Sequence, residues 1–569
     1  MENKKVAELF YKIGDLLDIK GESYFKSRAY RMAAQRIEVL DEDINSMVKE
    51  DRLRSIPGIG RALAEKIKEF VLTGELKYFE ELKKEIPVAL LKLLEVPGLG
   101  PKKVSVIYRE LDVKDIDGLR EACKNGRIRD LEGFGEITER NILRGIKLLE
   151  KTQGRILLNV AYRDGMQIKR YLENFDKVVR IDVAGSLRRM KETIGDIDIL
   201  VSSDYPEDVM DYFVDFDDVK RVLLKGKTKT SVLLNNDSQV DLRVVENKSF
   251  GSALQYFTGS KEHNVTMRGI AIKKGLKLNE YGLFDKNTDE YIKGKEEKEI
   301  YNELGLEYIP PELRENRGEV ERAKEKKLPK LIGYDDVKGD FHVHSNWSDG
   351  SETMEDLADY AKKMGYSFLG IADHSKSLKI ANGLSEERLL KKIDRIKELN
   401  KKIAGLTLLC GTECDINADG SLDYSDKILE KLDYVAVGIH KKFKMSKKQM
   451  TERVVEALKN EYATFLSHPT CRLIGRREPL PLEMETIFDT AVETNTYLEI
   501  NAFPDRLDLN DSHIRQAREK NVGLVLGTDA HALNHLSFMQ FGVATARRGW
   551  AEKKDVLNTM DIEDILKKL

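Results

Sequence analysis

Along the first 150 residues, apolar side chains recur at intervals of three and four. Val6, Leu9, Phe10, Ile13, Leu16 and Leu17 fall on one helical face. The pattern predicts an all-α region broken by short glycine-bearing turns. These are Ile56-Pro57-Gly58-Ile59-Gly60, Val96-Pro97-Gly98-Leu99-Gly100 and Leu131-Glu132-Gly133-Phe134-Gly135, a degenerate repeat spaced by about forty residues. From about residue 151 the pattern turns to mixed helix and strand, with β-rich runs at Val178–Ala184, Asp196–Val201, Ser231–Asn235 and Val240–Val245. The stretch Glu315–Lys330 is dense in charge, ends near Pro329 and reads as a linker with some helix. From about 336 onward, seven strand-like runs alternate with helical stretches: Gly339–Val343, Phe368–Ala372, Leu406–Gly411, Tyr434–Ile439, Ala463–Ser467, Tyr497–Ile500 and Gly523–Gly527. Repeated strand–helix units predict a parallel sheet, and seven of them favour closure into a barrel.

Length agrees with several domains: 569 residues correspond to roughly three to five at about 100–200 residues each. With 41% apolar and 34% charged residues the chain suits globular domains with large cores rather than disorder. A net charge of −3 names no partner, since basic residues can still cluster on one face. Cys123, Cys410, Cys414 and Cys471 form no Cys-x-x-Cys pair, which argues against a thiolate zinc site and more strongly against a disulfide framework. The first residues, MENKKVAELF, carry no apolar signal core, and no run of about 18 apolar residues occurs, so the expected location is cytoplasmic, with no membrane partner.

The polar residues that follow the seven runs change the picture most. His342 and His344 close the first run, with Asp349 just beyond; His374, Glu413, His440 and His468 follow the next four; Asp529 and His531 follow the seventh. In parallel α/β folds the carboxyl ends of the strands meet at one face, where active sites lie. Six of the nine histidines of the chain belong to this set. Isolated histidines often do no more than cap strands, but six beside carboxylates at strand ends point to metal. Imidazole with carboxylate suits Zn²⁺, Mn²⁺ or Fe²⁺, and so many donors imply two or three ions able to activate water for phosphoester hydrolysis. The segments Asp340-Phe341-His342-Val343-His344-Ser345, Ala372-Asp373-His374-Ser375, His440, Ser467-His468-Pro469 and Gly527-Thr528-Asp529-Ala530-His531 resemble the PHP (polymerase and histidinol phosphatase) family. That resemblance implies a distorted (β/α)7 barrel over 336–569 with a trinuclear metal centre held by those nine residues. Arg472, Arg476 and Arg477 follow His468 closely. They are either a bidentate phosphate clamp or surface arginines on a loop, and the sequence leaves both open.

In the middle of the chain, Gly185-Ser186 follows a strand and precedes Arg188-Arg189, and Asp196-Ile197-Asp198 comes ten residues after Ser186. Residues two apart on a strand point to one side, so Asp196 and Asp198 project together, and Asp241 lies in a later β-run. Three carboxylates on adjacent strands can hold two Mg²⁺ ions that align a 3′-hydroxyl with a triphosphate. The blocks Gly185-Ser186-Leu187-Arg188-Arg189 through Gly195-Asp196-Ile197-Asp198, and Tyr256-Phe257-Thr258-Gly259-Ser260 through Asn264 and Arg268, resemble family X DNA polymerases of the nucleotidyltransferase superfamily. Asn279-Glu280-Tyr281 fits the same pattern. The resemblance implies an α+β palm with a thumb, and Mg²⁺ or Mn²⁺ on Asp196, Asp198 and Asp241. It places Gly185, Ser186, Arg189 and Gly195 against the triphosphate, and Tyr256, Phe257 and Gly259 against the sugar. Tyr256 would exclude a ribose 2′-hydroxyl, and Asn264 and Arg268 would sit near the nascent base pair. Two positions depart: Ile194 stands where the family has a phosphate-contacting serine, and Lys261 where it has an acidic residue.

The three glycine-bearing breaks then read as helix-hairpin-helix units, in which Gly58, Gly60, Gly98, Gly100, Gly133 and Gly135 allow tight turns whose backbone N–H groups face a DNA phosphate. Na⁺ or K⁺ at these turns is a further expectation. Within the first unit Ala64-Glu65-Lys66-Ile67, supported by Phe25-Lys26-Ser27-Arg28-Ala29-Tyr30-Arg31, resembles the family's lyase segment. Lys66 is either a Schiff-base nucleophile for an abasic sugar or a solvated helix lysine. The expected organisation is a lyase-like DNA-end domain with a helix-hairpin-helix over 1–88, a second helix-hairpin-helix subdomain over 89–150 and a palm over 151–248. A thumb follows over 249–315, a charged linker over 316–335 and the PHP domain over 336–569. The expected activity is gap-filling, template-directed DNA synthesis joined to 3′–5′ exonuclease or 3′-end phosphoesterase chemistry, with AP endonuclease or lyase activity as further options. The expected partners are gapped or primer–template DNA bearing a 5′-phosphate and deoxynucleoside triphosphates, bound by a monomer. The competing reading is a histidinol-phosphatase-like small-molecule phosphatase carrying a non-catalytic DNA-binding module.

Overall fold

The computed structural model describes every residue except Met1, Val39, Asp41, Pro57, Pro97 and Gln153, so Pro57 and Pro97 of the hairpin breaks lie outside the described residues. The chain divides into two compact units, Met1–Gln153 with Leu473–Glu478, and Gly154–Arg472 with Pro479–Leu569.

The first unit is helical, as its apolar spacing predicts. Helices Glu2–Lys20, Tyr24–Glu38, Arg61–Thr73 and Lys77–Glu85 enclose Phe10, Ile13, Tyr30, Ile37 and Ile67. Helices Pro101–Leu111, Ile116–Lys124 and Gly135–Thr152 surround a second core that includes Leu93, Val104, Ile107, Leu119 and Ile142. Each break alternates inward and outward. Ile56, Ile59, Val96 and Leu99 are buried, while the glycines are exposed. Gly58 (φ 80°) and Gly98 (φ 87°) take the left-handed conformation, which disfavours a side chain. Gly60 and Gly100 then N-cap the following helices. The third break differs: Gly133 has φ 80°, but Gly135 is itself left-handed at φ 69° and opens the helix Gly135–Thr152.

In the second unit a five-stranded sheet runs in the order Arg180–Val183, Ile197–Ser202, Gln239–Val245, Lys229–Leu234, Val219–Lys225. Ile197–Ser202 lies parallel to Gln239–Val245, and Asp198 is directly paired with Asp241. The edge strand Val219–Lys225 carries no inward–outward alternation, being almost wholly exposed, which is why its hydrophobic pattern did not mark it as a strand. Helices Phe250–Thr258 and Lys261–Lys273 and a small antiparallel sheet follow. Their core of Met267, Leu283, Ile300, Tyr301 and Leu313 includes Trp550 from the C-terminal region. The charged stretch 316–335 is structured in its middle: helix Glu319–Lys324 buries Glu319, Val320 and Ala323. The Glu319 carboxylate faces His263 Nδ1 at 2.8 Å and accepts the N–H groups of Asn316 and Arg317.

The C-terminal region forms a seven-stranded parallel sheet in sequential order, from Gly339–Val343 to Leu524–Gly527. A bridge between Val343 and Ala530 joins the first strand to the chain just after the last, so the sheet nearly closes into a barrel. All seven predicted runs are strands, because strands covered on both faces read as uninterrupted apolar segments.

Candidate active sites

In the palm, Gly185 opens a short helix, Gly185–Arg188, with φ 61°. A Cβ there would lie 2.1 Å from Asp198 Oδ2, so only glycine fits beside the carboxylate. Asp196, Asp198 and Asp241 each place an oxygen within 4.8 Å of the others. Burial first, then repulsion from Asp196 and Asp241, pushes Asp198 up to about 7. Lys229 Nζ sits 2.7 Å from Asp241 Oδ2, and Gln239 donates to Asp241 Oδ1 at 2.9 Å. Crowded carboxylates that resist a shared negative charge fit a divalent cation.

Ser186 is half-buried beside this cluster, and Gly195 precedes Asp196 with Arg155 near its Cα. Ile194 is fully buried and pairs with Ile156. Arg189 is held away from open solvent: its Nε pairs with Glu315 at 3.0 Å and its Nη1 donates to the Thr258 carbonyl. Tyr256 and Phe257 meet edge to face with centroids 5.2 Å apart, and the Arg243 guanidinium stacks 4.4 Å over Phe257. Asn264 donates to the Tyr256 carbonyl at 2.7 Å and accepts from Gln255. Arg268 and Lys261 are exposed. The Gly259–Ser260 peptide is cis. Asn279 Oδ1 accepts the N–H groups of Tyr281 and Gly282, turning the chain there.

At the C-terminal ends of the barrel strands all nine predicted donors converge. Glu413, 1% exposed, is the hub. Its Oε1 lies 2.7 Å from His468 Nε2 and 3.1 Å from His440 Nε2, and its Oε2 lies 3.1 Å from His374 Nδ1 and 3.4 Å from His342 Nε2. His342 and His344 approach at 3.1 Å, with Asp529 Oδ1 3.3 Å from His344. Asp349 lies 3.5 Å from His531 and 3.7 Å from His374. Burial pushes His374 down to about 3. At His440 burial is outweighed by Glu413 and Asp415, which raise it to about 9. Glu413 Oε2, His344 Nδ1 and His374 Nδ1 are buried without a hydrogen bond. Open imidazole and carboxylate donors around common points are the donor set of a transition-metal centre.

Several partners of this cluster were not legible in the sequence. Glu499 Oε1 meets His342 Nδ1 at 2.6 Å, and its other oxygen accepts the His468 N–H. Asp415 faces His440 Nδ1 at 3.2 Å. Such carboxylates orient imidazole ligands. Arg506 reaches the centre, its Nε 3.2 Å from Asp529 Oδ2, while its buried Nη1 makes no hydrogen bond. Their only sequence signal is position: Asp415 ends the third strand, Thr407–Asp415, Glu499 lies on the sixth, Tyr497–Asn501, and Arg506 in the turn after it.

The three arginines that follow His468 differ in their surroundings. Arg472 is 8% exposed. It donates to the carbonyls of Arg506 and Leu507 and pairs with Glu192 at 2.8 Å, so its guanidinium braces the Arg506 turn rather than facing the metal cluster. Arg476 and Arg477 lie on a turn closed by backbone bonds between Leu473 and Arg477. In the first unit, Lys66 Nζ lies 5.0 Å from the Tyr78 ring, which stacks on Tyr30, and Phe25 is 79% exposed.

The fold and its two acidic centres define a nucleotidyltransferase palm and thumb joined to a PHP barrel. Comparison with known proteins agrees. The chain matches a helix-hairpin-helix domain over residues 1–76, a SAM-like helix-hairpin-helix tandem over 90–148, the DNA polymerase beta thumb over 253–315 and the PHP domain over 340–502. It is 38% identical to the DNA polymerase/3'-5' exonuclease PolX of Bacillus subtilis over 567 residues, 99% of both chains. A probable phosphatase of Acetivibrio thermocellus is 27% identical over 34% of this chain and 78% of its own length. The DNA polymerase lambda of Arabidopsis thaliana is 25% identical over 55% of this chain and 62% of its own. The chain belongs to the PolX family, the family X DNA polymerases that carry a PHP domain.

Proposed function

We propose that this chain is a template-directed DNA polymerase that fills short gaps and processes 3′ ends with its PHP domain as a 3′–5′ exonuclease or phosphoesterase. The observation that carries the reading is the presence, in one chain, of two separate clusters competent for metal: Asp196, Asp198 and Asp241 in the palm, and nine donors around Glu413 in the barrel. The histidinol-phosphatase-like alternative would leave the palm trio without a task, and similarity to the PolX relative extends over the palm as well as the barrel.

The palm trio offers oxygen alone and suits Mg²⁺, whereas the histidine-rich centre suits Mn²⁺, Zn²⁺ or Fe²⁺. Such ions, when bound, stabilise attacking and leaving oxygens and lower the pKa of water. Gly185 lets the chain pass close to Asp198, leaving Ser186 beside the carboxylates to meet a triphosphate. The Tyr256–Phe257 pair supports discrimination against ribose. Arg506, with Nη1 unengaged, is suited to neutralise a phosphate oxygen at the barrel centre. The exposed glycine turns suit non-specific contact with the DNA backbone, with Na⁺ or K⁺ as a fitting partner ion. The Lys66–Tyr78–Phe25 surface fits a pocket for a 5′-phosphate or abasic end. The chain acts as a monomer inside the cell, and among the described residues no helix is long and apolar enough to cross a membrane.

The test is incorporation on a gapped template alongside product mapping on 3′-recessed DNA. Asp198→Ala should lose incorporation and keep 3′ processing; the His342→Ala/His344→Ala double variant should do the reverse. Joint loss of both activities in either folded variant, or absence of both in the wild type with Mg²⁺ and Mn²⁺, overturns the reading.

A further inference from the structure

Between the nucleotide loop of the palm and the barrel lies a cavity of about 420 Å³. Its palm side is the stretch Met190–Thr193, and its barrel side is the segment Leu507–Ser512 with the end of helix Met539–Arg548. Five cationic side chains line it, Arg155, Lys191, Arg317, Arg472 and Arg548, against two carboxylates, Glu192 and Asp511.

The acids are already committed. Glu192 pairs with Arg472 at 2.8 Å. Asp511 is shared by Arg548 at 2.6 Å and Arg317 at 3.2 Å. Glu315, just behind the wall, serves Arg189 at 3.0 Å and Arg548 at 3.1 Å and lies 3.8 Å from Lys191. Arg155 bonds to neutral acceptors, Thr193 Oγ1 at 2.9 Å and the Thr193 carbonyl. Positive charge therefore exceeds negative around a half-open cavity, with Arg548 only 6% exposed. Lys191 registers that excess: burial first, and then Arg548 and Arg189 against the pull of Glu315, hold its ammonium below the usual range. Arg472 and Arg548 are buried, where a further counter-charge is favoured, and guanidinium forks match phosphate oxygens. The cavity is large enough for several linked phosphates.

We propose that this cavity binds a small polyphosphate anion, pyrophosphate or the triphosphate tail of a free nucleotide, through cations contributed by both palm and barrel. Such a ligand would bridge the loop that follows Arg189 to the helix that carries Arg548. It would also relieve Glu315 of part of its load, since Lys191 and Arg548 gain a second anionic partner. The inference stands apart from either catalytic assignment, as no residue of the metal clusters lines the cavity.

The test is calorimetric titration of full-length protein with inorganic tripolyphosphate, and separately with pyrophosphate, in EDTA, where neither metal cluster can hold phosphate through a divalent ion. One site per chain is expected. Lys191→Ser combined with Arg317→Ser should weaken it by at least about ten-fold, as for loss of charge-assisted hydrogen bonds, whereas Lys191→Arg should retain it. Asp198→Ala and His342→Ala should bind as the wild type does, and each variant's unliganded melting midpoint reports whether it is folded. Three outcomes overturn the proposal: no binding by the wild type, binding lost in Asp198→Ala, or binding unchanged in the Lys191/Arg317 variant. Displacement of tripolyphosphate by a DNA oligonucleotide in the wild type, together with weaker direct binding of that oligonucleotide by the same double variant, would make the cavity a DNA-backbone contact and overturn it too.

Discussion

The palm and the barrel solve the same problem in opposite ways. Both set acidic groups at strand ends where phosphate chemistry is to occur. The palm uses three carboxylates, one exposed, one half-buried and one buried. They are few, all-oxygen and open, with Lys229 and Gln239 leaning on Asp241. The barrel uses a buried glutamate ringed by five histidine contacts, with Glu499 and Asp415 behind the imidazoles and Asn501 behind Asp529. An open oxygen site suits an ion that keeps its water and arrives with the nucleotide. An enclosed imidazole site suits ions held between turnovers and fixed by their surroundings.

The largest expected effect is the cleanest way to break the comparison. Asp198→Ala should lower incorporation by more than about 1,000-fold, since a site that would hold two ions loses one of its three carboxylates. Primer-extension rates measure this, and a folded variant that still extends primers at near wild-type rate would remove the palm from the comparison. Gly185→Ala should be nearly as severe, because its Cβ would sit 2.1 Å from Asp198 Oδ2.

Chelation sharpens the difference between open and enclosed sites. Brief EDTA treatment followed by desalting should leave incorporation dependent on added Mg²⁺ while 3′ processing survives. Prolonged chelation should remove both, with Mn²⁺ restoring processing better than Mg²⁺. Elemental analysis after each step provides the check, and equal loss of metal-dependent activity on both timescales would erase the distinction.

Arg506→Ala should reduce kcat/KM for 3′ hydrolysis by about 100-fold, as for loss of one charged donor to a developing oxyanion. Gap filling should be spared. Arg472→Ala should act more weakly, through a loosened Arg506 turn, and should be partly restored by Arg472→Lys. If Arg472→Ala proved the more damaging on hydrolysis with an unchanged melting temperature, the roles assigned to the two arginines would have to be exchanged.

The smallest effect concerns stability. Burial pushes the Glu297 carboxyl up, but Arg314 and Arg188 outweigh it and hold it below the usual range. Glu297 meets Arg188 through two bonds of 2.9 Å and Arg314 at 2.5 Å. A depressed folded pKa contributes stability that is complete above the unfolded value, about 4.3 for glutamate, and is lost as pH falls through the folded one. The melting midpoint should therefore drop by a few degrees on going below about pH 4. Glu297→Gln should start lower and show a shallower acid dependence. An unaltered slope would place the acid-sensitive group elsewhere, with the buried Glu315 cluster next in line.

Periodicity and spacing made much of the architecture readable. Apolar residues three and four apart mark the N-terminal helices, and uninterrupted apolar runs mark the barrel strands, because burial on one stripe or on both faces leaves a direct imprint on composition. The nine barrel donors were readable for the same reason: each lies at the carboxyl end of its strand or within a few residues beyond it, and sequential parallel strands bring those ends together. Asp196 and Asp198 declared themselves by their spacing together with the Gly185-Ser186 turn before them and Asp241 in a later β-run. Val219–Lys225 did not, since an exposed edge strand needs no apolar face.

Tertiary structure alone decided which groups complete those sets. Asp415 touches His440 because adjacent strands align them, and Glu499 reaches His342 because the sheet curls round to bring its sixth strand near its first. Lys229 reaches Asp241 across an antiparallel pair. Arginines followed His468 in the chain, yet Arg472 is engaged by the Arg506 and Leu507 carbonyls and by Glu192, and Arg506, 38 residues beyond His468, keeps a nitrogen unengaged at the metal cluster. A local pattern records which face a residue presents, because that depends on its own strand or helix. Which acceptor its charge meets depends on segments distant in sequence, and only the nearly closed barrel and the palm packed against it bring those segments within hydrogen-bond reach.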